Sequence, residues 1–243
     1  MEITLRDLPL LTFLDRVRKA IIRSALVVAA LAAAAWFVTD RILELLLGLY
    51  DGVEALVYVH VAESFMTRLK LAAITGVVAG MPWILWQVYS VVAPLVPKSL
   101  RRSGVGLLCS AALLFYAGLL FALYGVLPLA LRFFLSFGGD YVEPMIRIDG
   151  LVGFAVSFAL PFGIIFQLPV VVYFLGRMGL VSAEGLRRYR KYSIFVIFVV
   201  AAILTPADVF SQFMMAIPLM VLYELSIVLV RTAERRQVRP SED

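Results

Sequence analysis

The sequence contains one cysteine, one histidine and few charged residues. Cys109 is the single thiol among 243 residues, which excludes a disulfide framework and a thiolate metal cluster. His60 alone cannot supply the paired ligands of a membrane haem or a histidine-rich metal site, so neither a cofactor nor a metal is expected. Only 16% of the residues are charged whereas 63% are hydrophobic, more apolar material than a soluble domain of this size can bury. The composition therefore predicts a membrane protein and excludes a water-soluble enzyme.

Basic residues are concentrated in alternate loops. The chain has 22 Lys and Arg against 17 Asp and Glu, a formal net charge of +5. Of the 22 basic residues, 17 lie in the N-terminus, in the second and fourth loops between apolar runs, and in the C-terminal tail. The positive-inside rule assigns these segments to the cytoplasm. Both termini are therefore predicted to be cytoplasmic, and the positive charge indicates membrane topology and not a nucleic-acid partner.

The apolar runs predict an all-α membrane protein with six transmembrane helices and a cytoplasmic tail at 231–243. Four runs are long enough as helices to cross about 30 Å of hydrocarbon. These runs cover residues 20–38, 71–92, 104–131 and 151–175. The last two spans, 193–205 and 209–230, have apolar cores of only 11 residues each, which predicts a short, shallow pair within a single membrane domain, 1–243. Between these two spans, Pro206 and Asp208 suit a tight turn and the start of a new helix.

Polar residues inside apolar spans are the functional candidates, because lipid offers them no hydrogen bonds. Gln167 could form an interhelical hydrogen bond or mark a polar notch open to a partner helix. Thr205 and Gln212 could cap the turn or bind a partner, and Glu224 could be an interfacial anchor. In the second span, Gly76 begins a small-xxx-small pattern that favours close helix packing. Neither the Ser–His pair nor the carboxylate pair of intramembrane proteases is present in the spans, so a non-enzymatic role is predicted.

Several strings occur in the order and spacing typical of one family of membrane proteins. They are RYRKY at 188–192, AAILTPADVFSQ at 201–212, AIP at 216–218 and LYE at 222–224. In these strings, and in shorter matches over nearly the whole chain, the sequence resembles TatC, the six-helix subunit of the twin-arginine protein translocase. Six spans with inward termini agree with that resemblance.

The resemblance implies a curved, concave bundle in a bacterial or archaeal cytoplasmic membrane. It also implies that the protein takes part in the export of folded proteins, which the proton-motive force drives. It implies docking of single-span partners of the TatA and TatB type at Thr205, Gln212 and Gln167, with Pro206, Asp208 and Glu224 shaping the adjoining turn and helix. It also implies a cytoplasmic surface that binds twin-arginine signal peptides. Membrane lipid is an expected partner, and the chain could form a homo-oligomer.

Two carboxylates of the family pattern are replaced in this chain. The family carries His-Leu-x-Glu-Leu-Arg before the first span, where this sequence has Arg16 at the acidic position, flanked by Asp15 and Arg18. In the second cytoplasmic loop, Leu100 stands where the family has Glu, directly before Arg101. A charge-assisted contact to arginine contributes about 1.5 to 3 kcal/mol, so these replacements weaken the predicted signal-peptide surface.

Three functions therefore remain open from the sequence. The first is a divergent translocase subunit that recognises signal peptides and docks single-span partners. The second is a TatC-like paralogue that lost signal recognition and acts as a structural subunit of another membrane complex. The third is a secondary transporter for a small solute, which broken helices and the buried Gln87 and Gln167 favour but the scarcity of intramembrane acids disfavours.

Overall fold

Helices account for nearly all of the described structure, as long apolar runs in lipid require. The computed structural model describes residues 9–49, 57, 60, 62–95, 104–137, 145–205 and 208–238. Five helices in these residues are long and apolar enough to cross a membrane. They are Thr12–Gly48, Glu63–Val92, Gly104–Leu135, Ile148–Arg177 and Val209–Glu234.

The helical elements are numbered here in chain order. They are α1 (Pro9–Ala35), α2 (Thr39–Gly48), α3 (Glu63–Val92), α4 (Gly104–Leu120), α5 (Leu127–Leu135), α6 (Ile148–Ile165), α7 (Leu168–Arg177), α8 (Ala183–Arg188), α9 (Arg190–Leu204) and α10 (Val209–Val238). A 3-10 turn, Trp36–Val38, joins α1 to α2, and a π-helix, Phe121–Val126, joins α4 to α5. The contacts divide the chain into two compact units, 1–42 with 68–112, and 43–67 with 113–243.

In the first unit, α1 and α3 approach each other through small residues. A Cβ atom built on Gly76 would lie 2.6 Å from the backbone nitrogen of Ala32, and one on Gly80 would lie 3.1 Å from the side chain of Val28. Only glycine allows backbones to come this close. The small-xxx-small packing predicted for Gly76 is therefore confirmed.

In the second unit, α6 is the central helix. Its buried residues recur along one face, and Phe158 and Phe162 are fully buried. Gly163 lets the ring of Phe115 from α4 pack directly on α6, since a Cβ there would lie 2.6 Å from that ring. Helix α10 packs along α7, and Gly176 accommodates Val230 at their crossing.

Prolines break some helices of this protein and leave others continuous. Pro128 follows the π-helix, and Pro169 follows a break in the fourth span at Phe166 and Gln167. A proline ring clashes with the carbonyl four residues earlier, and both irregularities lie where that clash would fall. Pro161 and Pro218 lie inside continuous helices.

The last two helices differ in length. Helix α9 has 15 residues and is about 22 Å long, less than the hydrocarbon thickness. Helix α10 has 30 residues and is about 45 Å long, so the prediction of a short last helix is wrong. The predicted 11-residue apolar core, 213–223, stops before Glu224, but this carboxylate pairs with Arg190 and an apolar run resumes directly after it. Because α9 falls below spanning length, the six-span count stays a prediction.

Candidate functional site

The turn between α9 and α10 is held by its own side chains. Thr205 ends α9, is buried, and donates its hydroxyl hydrogen bond to the carbonyl of Ala201 at 2.8 Å. Asp208 Oδ1 accepts from the backbone N–H of Ser211 at 2.6 Å, which caps the start of α10. Gln212 Nε2 donates to the carbonyl of Phe198 at 3.0 Å, which ties α10 to α9. Thr205 and Gln212 thus both bond to carbonyls in the last two turns of α9.

Two buried oxygen atoms at this turn have no hydrogen-bond partner among the described residues. They are Asp208 Oδ2 and Ser211 Oγ, and Ser211 is fully buried. A buried polar atom without a partner costs about 1 to 3 kcal/mol, so such atoms are rare in native structures. At this turn the helix ends are therefore capped by hydrogen bonds from Thr205 and to Asp208, while two buried oxygens could still accept a hydrogen bond from another molecule. Pro206, predicted at this turn, lies outside the described residues.

Gln167 lies at the break between α6 and α7. Its backbone N–H donates to the carbonyl of Ile164 at 3.0 Å, and its own carbonyl accepts from the N–H of Val171 at 2.9 Å. The break therefore keeps its backbone hydrogen bonds, as a helix interruption in lipid must. The structure places Gln167 on a different helix pair from Thr205 and Gln212.

Glu224 forms an ion pair that spacing along the sequence does not reveal. Its two carboxylate oxygens contact Nε and Nη2 of Arg190, each at 2.7 Å, so the pair is bidentate. The residues are 34 positions apart, and both side chains are about half exposed. The contact joins the first residue of α9 to the middle of α10. The sequence predicts Glu224 as an interfacial anchor but does not indicate that Arg190 is its ion-pair partner.

The predicted signal-peptide residues lie on the exposed beginning of α1. Asp15, Arg16 and Arg18 are all exposed, and the Asp15 carboxylate pairs with Lys19 at 2.7 Å one turn further along. Leu100 and Arg101, predicted on the second cytoplasmic loop, lie outside the described residues.

A further ion pair joins the start of α3 to the residue just before α6. Glu63, almost fully buried, contacts Arg147 Nε at 3.3 Å, and Arg147 also reaches Asp149 at 3.2 Å. Beside it, Val57 exchanges two backbone hydrogen bonds with Ile146 and Ile148, each at 3.1 Å. The hydrogen bond to Glu63 and the nearby Asp149 carboxylate raise the pKa of Arg147. Sequence analysis did not identify this pair, whose partners lie 84 residues apart.

Comparison with known proteins identifies the family. The family model described as Sec-independent protein translocase protein (TatC) matches residues 12–218. The chain belongs to the TatC family. It is 41% identical over 231 residues to the Sec-independent protein translocase protein TatC of Carboxydothermus hydrogenoformans, covering 93% of this chain and 95% of the relative. It is 34% identical over 236 residues to the Sec-independent protein translocase protein TatC of Aquifex aeolicus, and the match covers 95% of this chain and 98% of that relative.

A solved structure has the same fold. The crystal structure of the twin-arginine translocase receptor TatC superposes with a TM-score of 0.83 at 32% identity, covering 92% of this chain and all of the other. This TatC-family chain is accordingly an all-helical membrane subunit of a protein translocase, and not an enzyme. The resemblance found in the motifs of residues 188–224 is confirmed.

Proposed function

We propose that this chain is the multispanning receptor subunit of a twin-arginine translocase, which recognises signal peptides and docks single-span partners for export of folded proteins. Family membership over residues 12–218 supports this function. Relatives that match more than nine-tenths of the chain are translocase proteins, which favours this role over a structural subunit of another complex.

The proposed topology has six spans in one membrane domain, with both termini in the cytoplasm of a bacterium or archaeon. Helix α9 would be the fifth of the six spans and α10 the sixth, and the 15 residues of α9 would thin the bilayer beside it. The basic residues of alternate loops support the orientation. A curved bundle with a concave face would form around this thin region.

The α9–α10 turn is the proposed docking site for a TatA- or TatB-type partner helix. The observation that carries this proposal is the pair of buried oxygens, on Asp208 and Ser211, that find no hydrogen-bond partner in the part of the chain that the structure describes. They lie beside Gln212 and Thr205. A polar group on a partner helix could satisfy them, and an interhelical hydrogen bond in lipid contributes about 1 kcal/mol. Gln167 would supply a second polar contact on the neighbouring helix pair.

Replacing Gln212 with alanine tests the docking site. Gln212→Ala removes the hydrogen bond to the Phe198 carbonyl and one polar contact to the partner, so recovery of a single-span partner should fall about fivefold. The measurement is the amount of TatA- and TatB-type protein that co-purifies with the chain in mild detergent. Ser226→Ala is the matched control, because its hydroxyl bonds only to the Leu222 carbonyl within α10. Unchanged partner recovery from Gln212→Ala would show that this residue only ties α9 to α10.

Signal peptides are proposed to bind at the exposed beginning of α1, with Asp15 supplying a carboxylate beside the position that Arg16 occupies. On a helix, a shift of one residue turns the side chain by about 100 degrees. The signal peptide would compete with Lys19 for this carboxylate, which is 2.7 Å away. Leu100 and Arg101 would line the second loop of the same surface.

Complementation tests the function directly. Expression of this chain in a TatC-deficient bacterium should restore export of a reporter with a twin-arginine signal, but not of one with twin lysine.

Asp15→Asn should reduce export of the twin-arginine reporter at least fivefold, since a charged hydrogen bond contributes about 1.5 to 3 kcal/mol. If the natural chain exports nothing while an Arg16→Glu, Leu100→Glu double variant does, signal recognition has been lost.

A further inference from the structure

Residues 182–192, which we call the interfacial elbow, connect the span Ile148–Arg177 to α9. The elbow contains α8 and the first residues of α9. Tyr189 and Tyr192 are both 58% exposed, and their ring centroids are 6.1 Å apart. Exposed tyrosines at the end of an apolar helix are typical of the boundary between lipid and water. Their exposure favours a position for the elbow at the level of the lipid headgroups.

Three polar contacts hold the elbow against α10. Glu234 accepts a hydrogen bond from the backbone N–H of Ala183 at 2.9 Å. The Tyr223 hydroxyl donates to the carbonyl of Leu186 at 2.8 Å, and the Arg190–Glu224 pair closes the far end at 2.7 Å. These contacts span the length of α8, so the elbow backbone is fixed before any ligand binds. Two of the nearby carboxylates, on Glu224 and Glu234, are used in doing so.

The remaining cations of the elbow project into solvent. Arg187, Arg188 and Lys191 are exposed, and within the described structure none of them forms an ion pair. The Lys191 ammonium lies 5.1 Å from the ring centre of Tyr192. Against these three positive charges, Glu184 is the one acidic side chain of the elbow itself. The elbow thus presents excess positive charge on a rigid frame beside exposed tyrosine hydroxyls.

An exposed apolar stripe runs from these charges along α9. Val196, Val199 and Ile203 follow Tyr192 at intervals of four, three and four residues, so they share one helix face. All three are exposed, and Ile203 is 74% exposed. A stripe of this kind suits an acyl chain lying against the helix.

We propose that the interfacial elbow binds the headgroup of an anionic phospholipid, whose acyl chain lies along α9. Rigid cations at headgroup level attract phosphate, and basic sites beside transmembrane helices recognise acidic lipids. An acidic soluble peptide could pair with the positive charges of the elbow, but it would leave the apolar stripe of α9 uncovered. Charge and apolar surface together therefore favour a lipid.

Lipid titration of the full chain in neutral detergent tests the proposal. Phosphatidylglycerol should bind tightly enough to be retained in native mass spectrometry and should raise Tm, whereas phosphatidylcholine should do neither. The triple variant Arg187→Gln, Arg188→Gln, Lys191→Gln should bind phosphatidylglycerol about 100-fold more weakly, because each basic residue near an anionic surface contributes roughly fivefold. Raising the salt concentration should weaken binding to the natural chain.

A matched triple variant, Arg23→Gln, Arg41→Gln, Lys70→Gln, removes the same charge from exposed positions outside the elbow and outside the proposed signal-peptide surface, and it should bind phosphatidylglycerol as the natural chain does. Equal losses in the two triple variants would overturn the proposal, because they would show a general charge effect. Equal binding of phosphatidylglycerol and phosphatidylcholine would overturn it as well. An elbow variant that keeps its lipid but loses a co-purifying protein would assign the elbow to a protein partner. None of these measurements depends on export.

Discussion

Gly118→Val is expected to lower the free energy of unfolding by about 3 kcal/mol and to abolish export. A Cβ atom on Gly118 would lie 2.7 Å from the carbonyl oxygen of Phe162 and 2.7 Å from the ring of Phe166, a distance that real Cβ contacts do not reach. The obstacle includes the backbone of α6, so α4 and α6 must separate, and overpacking of this kind costs about 1 to 3 kcal/mol or more. Denaturant unfolding in detergent measures the stability, and a twin-arginine reporter measures export.

Gly125→Val is the control for this variant. A Cβ atom at Gly125 would meet only the ring of Phe121, at the ordinary contact distance of 3.7 Å. It should therefore change the free energy of unfolding by less than about 1 kcal/mol. Equal destabilisation by both variants would show that the close approach of α4 to α6 is not what Gly118 provides.

Arg147→Gln is expected to lower Tm by roughly 5 to 10 °C. Glu63 is only 4% exposed in its side chain, so the substitution removes the Arg147 guanidinium from a buried carboxylate. Removing one partner of a buried pair is more harmful than removing both, because the remaining charge stays desolvated. Adding Glu63→Gln to Arg147→Gln should therefore restore most of the lost Tm, as measured by thermal unfolding in detergent.

The pair between Arg68 and Asp40 provides the comparison. Its atoms are closer, at 2.8 Å, but its side chains are 44% and 63% exposed. Solvent screens such a pair, so Arg68→Gln should lower Tm by no more than about 2 °C. A larger effect from Arg68→Gln than from Arg147→Gln would contradict the role assigned to the burial of Glu63.

The predictions that succeeded depend on neighbours along the chain. Apolar length identifies the spans, and the capping chemistry of Asp208 at the start of α10 can be inferred from the sequence of the turn itself. The four-residue spacing of Gly76 and Gly80 likewise predicts a close helix contact. In each case the sequence signal lies within one or two helical turns of the chain.

The contacts that the sequence did not reveal join residues far apart. Glu224 was interpreted as an interfacial anchor, but Arg190, 34 positions earlier, provides its counter-charge and α10 continues through it. Thr205 and Gln212 were singled out as polar, but the sequence could not show that the carbonyls of Ala201 and Phe198 receive their hydrogen bonds. The buried oxygens of Asp208 and Ser211, which have no partner among residues 9–205 and 208–238 as far as these are described, became visible only in the structure.

Hydrophobic length and capping are local properties, so the order of residues is enough to predict a helical membrane protein, the family of its motifs and the positions where its turns begin. The packing of the helices brings Glu63 to Arg147 across 84 residues and ties α8 to α10 with the remaining cations of the elbow exposed. A glycine spacing predicts that two helices approach closely, but it does not indicate which side chains of distant segments meet.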